Sequence, residues 1–283
     1  MTVLRPPLAV AALLAAACGS EPPPPPASAP APAPAPVVPA DPAGFLRALV
    51  PGTGGPLLVV YRLEGPAGIE GTLEIMTRPG IHARENWTVR VPLDGGAPLV
   101  RTATTIVGPA GIVTTTSDGA TFARRLPFAA WAEAYAAAPA TERRRIAEAV
   151  RRFHEQVAAA RAEHRGNRKT VAGLDCLALR VAAQSLCLWE EAGLALRYRG
   201  PLVSAEAVRI DRAPALADGA FDLPPIPDDA PPSEDFADLA ARPAAEILDR
   251  LADADPGVLA RVALANLRPP SGLFELPSSA RRP

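Results

Sequence analysis

Lysine is almost missing from this chain: Lys169 is the only one, and the rest of its 29 basic residues are arginine. The formal net charge of −1 argues against a nucleic-acid binder, which needs a basic face to neutralise phosphates. Aromatics make up only 5% of the residues, so the core has to be built from Leu, Val, Ile and Ala. With three histidines and three cysteines, the chain holds no Cys-x-x-Cys pair, no His-Glu-x-x-His and no EF-hand spacing. Gly52-Thr53-Gly54-Gly55 lacks the following lysine and helix of a phosphate loop and reads as a plain connection. No nucleophile stands in a pattern with a base, so the expectation is a non-enzyme without metal or cofactor. The apolar run at the N-terminus, Leu8 to Ala17, is too short to cross a bilayer core, which takes about 20 residues.

That run is instead the length of a secretory leader, with Arg5 as its positive start. It ends Leu14-Ala15-Ala16-Ala17-Cys18-Gly19-Ser20. Small residues before a cysteine resemble the lipobox of bacterial lipoproteins. The resemblance implies removal of residues 1–17, lipid on Cys18, and attachment to a membrane in the bacterial envelope. Gly19 and Ser20 offer no aspartate of the kind that retains lipoproteins in the inner membrane, which points to the outer membrane, facing the periplasm. Residues 21 to 40 contain ten prolines. Proline lacks a donor and fixes φ, so the tract from Cys18 to residue 41 is expected to be a semi-rigid spacer of about 3.1 Å per residue.

Beyond the spacer the pattern is β. PLLVVYRL, GIEGTLEIMT, HARENWTVRV, PLVRTATTIV and GIVTTT are separated by Gly65-Pro66, Pro79-Gly80, Asp94-Gly95-Gly96, Gly108-Pro109 and Asp118-Gly119. Such short breaks predict antiparallel hairpins. The period then changes. Phe128 to Ala138 reads as a short helix, and Ile146, Ala149, Val150, Phe153, Val157 and Ala160 form one face of a long one, with Thr141 a candidate N-cap. Strands resume from Lys169 to Tyr198 and from Ala205 to Ile210. A turn near Val181 to Gln184 would bring Cys176 and Cys187 opposite one another, and in an exported chain this even pair predicts a disulfide. Ser233, Pro243 and Asp255-Pro256 mark the starts of three helices toward the C-terminus. The reading is α+β: one large antiparallel sheet with helices on one face.

Two stretches are similar to the lipoprotein-carrier superfamily that includes LolA and LolB and mycobacterial lipid-handling lipoproteins. One is Gly71-Thr72-Leu73-Glu74-Ile75-Met76-Thr77-Arg78-Pro79; the other is Ser117-Asp118-Gly119-Ala120-Thr121-Phe122. The order of later pieces, from Leu188-Trp189 through Gly193-Leu194 and Val208-Ile210 to Phe221–Pro224, resembles the family as well. The resemblance implies a curved, incomplete β-barrel over residues 42–224 whose concave face is closed by helices and holds an acyl chain. Residues 225–283 would be a helical extension and tail. Leu58, Val60, Leu73, Ile75, Trp87 and Trp189 become candidate cavity residues. Arg78, which matches the arginine that holds the family's lid, and His82 four residues on become candidate gate residues. The expected function is a lipid-anchored protein that binds or transfers a lipid or acyl chain without catalysis. The alternative is a structural or protein-binding envelope lipoprotein on the same scaffold.

Overall fold

Alternation with glycine punctuation does produce strands where the pattern asks for them. The computed structural model describes residues 40–50, 55–93, 95–163, 167–181, 184–201 and 203–253. The leader, Cys18, all but the end of the proline spacer and the helix expected at Asp255-Pro256 lie outside them. Six strands come first: β1 (Leu57–Glu64), β2 (Glu70–Arg78), β3 (His82–Val91), β4 (Leu99–Gly108), β5 (Gly111–Thr116) and β6 (Thr121–Arg125). Five follow later: β7 (Arg168–Val171), β8 (Leu174–Val181), β9 (Gln184–Trp189), β10 (Leu194–Arg199) and β11 (Ser204–Asp211). All eleven belong to one open antiparallel sheet ordered β6-β5-β4-β3-β2-β1-β11-β10-β9-β8-β7. Every neighbour pair is a sequence neighbour except β1 with β11, which joins the two halves.

The helices are α1 (Pro42–Leu49), α2 (Phe128–Ala137), α3 (Ala140–Glu163), α4 (Ala237–Ala240) and α5 (Ala244–Ala252). α1 escaped the sequence reading, although its start is marked. The Asp41 carboxylate accepts from the Gly44 amide at 2.7 Å and Pro42 occupies the first turn. Thr141, expected to cap α3, lies inside it, because the helix begins at Ala140 and the Pro139 carbonyl accepts from the Arg143 amide. Pro243 does precede α5 directly.

Two separate cores form. The first lies on one face of the sheet and takes its buried side chains from strands and their connections alone. Val59, Tyr61, Leu73, Ile75, Trp87 and Val89 meet Val171, Cys176, Trp189 and Leu196. β7 also lies against β11, four places away in the strand order, so this half of the sheet bends round on itself. The second core is helical. Phe45 stacks on Tyr135 at 4.4 Å, and Phe128 meets Trp131 and Phe236 edge-on at 5.2 and 4.9 Å. Ile146, Val150, Ile247 and Leu251 complete it. The helices therefore pack chiefly on one another, and they reach the sheet through Ile81, Val107 and Ile112 at the β2–β3 and β4–β5 ends.

The chain reaches the second core by crossing the opposite face of the sheet. Residues 219–226 run over the β2–β5 ends, with the Arg84 guanidinium donating to the Ala220 carbonyl at 3.5 Å and Leu223 against Gly108. Gly111 makes this crossing possible: a Cβ there would sit 2.3 Å from the Ile226 Cδ1 and 2.4 Å from the Arg124 carbonyl oxygen. Arg125 on edge strand β6 then bonds the chain in passing, its amide to the Pro231 carbonyl and its carbonyl to the Ser233 amide. Part of the one exposed backbone edge of β6 is thereby covered.

Cys176 and Cys187 are joined, with Cα atoms 5.2 Å apart. The turn falls where expected, with Val181 opposite Gln184, but the cysteines are diagonal and not opposed: Cys187 faces Ala178. Diagonal neighbours on one face of an antiparallel pair are within reach of one another, so the offset of two residues still permits the bond.

Candidate functional site

The six cavity candidates divide between the two faces of the sheet. Tyr61 opposes Leu73 and Leu73 opposes Trp87, so Leu73, Ile75 and Trp87 share the core face with Val59. Leu58 opposes Met76 and Val60 opposes Glu74, which puts both on the other side, half-buried. Leu73, Ile75, Trp87 and Trp189 are each less than 5% exposed and form filled core. The Trp189 ring is further capped by the Arg212 guanidinium at 5.0 Å, which Glu191 holds from the other side.

Arg78 and His82 oppose one another across the β2–β3 hairpin. The Arg78 guanidinium donates to His82 Nδ1 at 3.3 Å and lies over the Phe221 ring at 5.0 Å. Since the guanidinium can only donate, Nδ1 accepts and the imidazole proton is on Nε2. Burial, and then the Arg78 charge, hold His82 below the ordinary histidine pKa, which keeps this neutral form. The pair thus fastens the segment that crosses the sheet.

Beside them lies a cleft of about 410 Å³ between α1 and the β2–β3 hairpin. Ala43, Leu46 and Arg47 line it from the helix; Arg78, Pro79, Gly80 and His82 line it from the hairpin. Its volume falls within the range of small-molecule sites, and its lining is mostly apolar, with Arg47 and Arg78 among the residues that form it. The α1 wall is held by His154, whose Nε2 donates to the Ala48 carbonyl at 3.2 Å. That contact replaces the solvated position that the charges around His154 suggest in the sequence. α1 is the part of the site that sequence reasoning missed, and the Asp41-Pro42 cap is the signal that could have found it.

A second polar feature lies on the core face. β3 turns Ala83, Glu85, Trp87, Val89 and Val91 in the same direction, so Glu85 is a carboxylate in the apolar phase of the strand. In register it stands between Ile75 and Thr105, and Thr105 stands next to Thr114. Trp87 Nε1 donates to the Glu85 carboxylate at 3.1 Å, and the Thr105 and Thr114 hydroxyls are 3.0 Å apart. Burial pushes the Glu85 carboxyl up to about 7, with the Trp87 bond opposing that rise. Nearby, the Tyr61 hydroxyl is buried without a partner, and its pKa is raised by burial and then by Glu85. Strict alternation along HARENWTVRV was the available signal for Glu85.

Among the described residues, no group of three or more His, Cys, Asp or Glu side chains is placed to hold a metal. No described helix is long and apolar enough to cross a membrane. No family model matches the chain, and neither the curated proteins nor the solved structures contain a significant match to it.

Proposed function

We propose that this chain is a lipid-anchored envelope protein that binds or hands on an amphipathic lipid, without catalysis. The observation that carries the reading is the cleft between α1 and the β2–β3 hairpin. Ala43, Leu46, Pro79 and Gly80 offer an acyl chain an apolar surface, at about 0.8 kcal/mol for each buried CH₂. Arg47 and Arg78 offer an acidic head group two guanidinium donors. Arg78 would then serve as a gate, since it also fastens Phe221 of the crossing segment. The likeness to the LolA and LolB carriers, in Gly71–Pro79 and Ser117–Phe122, supports the same ligand class. Within this reading the sheet is the incomplete barrel of that family, residues 225–283 are an addition to it, Cys18 carries the anchor, and the protein faces the periplasm from the outer membrane.

The test is native mass spectrometry of the full-length chain carrying Cys18→Ser, exported to a bacterial periplasm and purified without detergent. A lipid-sized adduct, lost on organic extraction and reduced by Arg78→Ala, is the expected result. A bare mass for both proteins overturns the reading. Labelling with radioactive palmitate tests the anchor: wild type takes up label and Cys18→Ser does not.

The alternative, a protein-binding scaffold, is favoured by one observation. Leu93, Leu99 and Val100, at the β3–β4 hairpin, are 37%, 37% and 50% exposed. Replacing all three with serine would then abolish co-purification with an envelope protein and leave any lipid adduct intact.

A further inference from the structure

The Arg78–His82 pair holds the segment between β11 and the C-terminal helices by a contact that depends on a single proton. The Arg78 guanidinium donates to His82 Nδ1 at 3.3 Å and lies over the Phe221 ring at 5.0 Å. The His82 ring meets the same ring edge-on at 6.5 Å, and Phe221 is buried. A guanidinium has no acceptor, and an imidazolium has none either. A proton on Nδ1 therefore cancels the hydrogen bond and sets two positive charges side by side. His154 makes the contrast. Its Nε2 donates to the Ala48 carbonyl at 3.2 Å, and a protonated ring donates there equally well.

The surroundings of His82 bring positive charge in excess. β2 contributes Arg78. α1 contributes Arg47, whose Cγ lies 4.0 Å from the point a Cβ on Gly80 would occupy, with His82 Cδ2 3.6 Å from the same point. β3 contributes Arg84, which donates to Asn86 and to the Ala220 carbonyl. β4 ends in Val107 and Gly108 and brings no charge there. In the crossing segment the charged neighbour of Phe221 is Asp222. Its carboxylate is turned back on Gly219, 2.8 Å from where a Cβ would stand. Burial, and then the Arg78 charge, lower the His82 pKa from 6.5. The fastened state thus takes up a proton less readily than a released histidine does, so acid drives the equilibrium toward release.

We infer that the Arg78–His82 pair is a pH-sensitive latch, which fastens Phe221 and the crossing segment to the β2–β3 hairpin at neutral pH and lets them go when His82 is protonated. Release also frees Arg78, which lines the α1 cleft. The latch is a property of the chain by itself and does not rest on the lipid reading.

The experiment is hydrogen exchange of the full-length Cys18→Ser chain at pH 7.5 and 5, read by mass spectrometry and corrected for the intrinsic pH dependence of amide exchange. The peptide to follow spans residues 217–223, in which the Ala220 and Asp222 amides donate to the Ala217 and Gly219 carbonyls. Its exchange is expected to be about tenfold faster at pH 5, with a midpoint below 6.5, while residues 184–189 of β9 keep their rate. His82→Gln offers Arg78 an amide oxygen and does not titrate, so it should abolish the pH step. Glu85 also gains a proton between these pH values, but it does so in both proteins. If His82→Gln does not fold, Arg78→Met takes its place, and its peptide should exchange at one rate at both pH values. Equal corrected rates in wild type at pH 7.5 and 5 overturn the proposal. A pH step that survives in either variant, or that residues 184–189 share, overturns it as well.

Discussion

The sheet core draws on strands that are mostly neighbours in sequence, whereas the helical core gathers α1, α2–α3 and α4–α5 from three widely separated parts of the chain. The sheet core is also stapled by Cys176–Cys187, while the helical core is held by aromatic packing around Phe128 and Trp131. One is closed by local pairing plus a covalent bond, the other by chain ends that must return to the same place. The cleft and the Arg78–His82 pair lie where these two constructions meet, so the stability of the seam depends on both.

Truncation after Pro232 is the change with the most severe consequence. It removes Phe236, Leu239, Ile247, Leu248 and Leu251 from the helical core. At about 1.5–3 kcal/mol per buried side chain, the loss rivals the 5–15 kcal/mol that holds a typical domain. Circular dichroism should show helical signal lost while strand signal persists, because the sheet core takes no side chain from a helix. Simultaneous loss of both signals would show that the cores are not separable.

A second test acts on the sheet core alone. Replacing Cys176 and Cys187 by alanine should cost about 2–4 kcal/mol by denaturant titration. It should leave α1 and the cleft in place, as judged by hydrogen exchange at Ala43–Leu49.

Glu85 gives a third test, and its sign can be worked out. Its carboxyl rises from 4.5 to about 7 on folding, so the folded state holds the proton more tightly. The Glu85 contribution to stability is most favourable below pH 4.5, falls as pH rises to about 7 and is flat above. Glu85→Gln should remove this loss, leaving the variant about 2–3 kcal/mol better off at pH 8 relative to pH 4.5 than wild type. A parallel pH profile for the two proteins would contradict the burial of this carboxyl.

The smallest effect belongs to the surface. Arg145 on α3 and Asp249 on α5 approach to 3.1 Å, but both are exposed. Arg145→Ala should shift stability by less than about 1 kcal/mol, measured by thermal melts in low and high salt. A larger shift would mean that ion pairing, and not packing, holds α5 in place.

The sheet was legible because its strands alternate and its turns carry glycine, both of which are local properties. β3 and β5 begin and end at the residues where HARENWTVRV and GIVTTT do. The apolar face of α3 was legible for the same reason, with Ile146, Ala149, Val150 and Phe153 buried as their spacing requires. What escaped was set by contacts between distant residues. Which face Leu58 and Val60 would share with Leu73 depends on the register of β1 against β2, which no single strand encodes. The diagonal placement of Cys176 and Cys187 depends likewise on the turn that aligns β8 with β9. The seating of α1 against the β2–β3 hairpin joins residues that the sequence keeps more than thirty positions apart. Glu85 breaks the apolar phase of HARENWTVRV, but its place between Ile75 and Thr105 emerges only once β3 is paired with β2 and β4.

The pairing of β1 with β11 also has a consequence in time. Leu58 finds Asp211 as its partner, so the first of the described strands waits for the last. Until then a half-sheet of β1 to β6 stands with the inner edge of β1 bare. Closure over so long a loop is slow compared with forming the hairpins on either side. An edge of that kind stays open to pairing with another chain until β11 takes it.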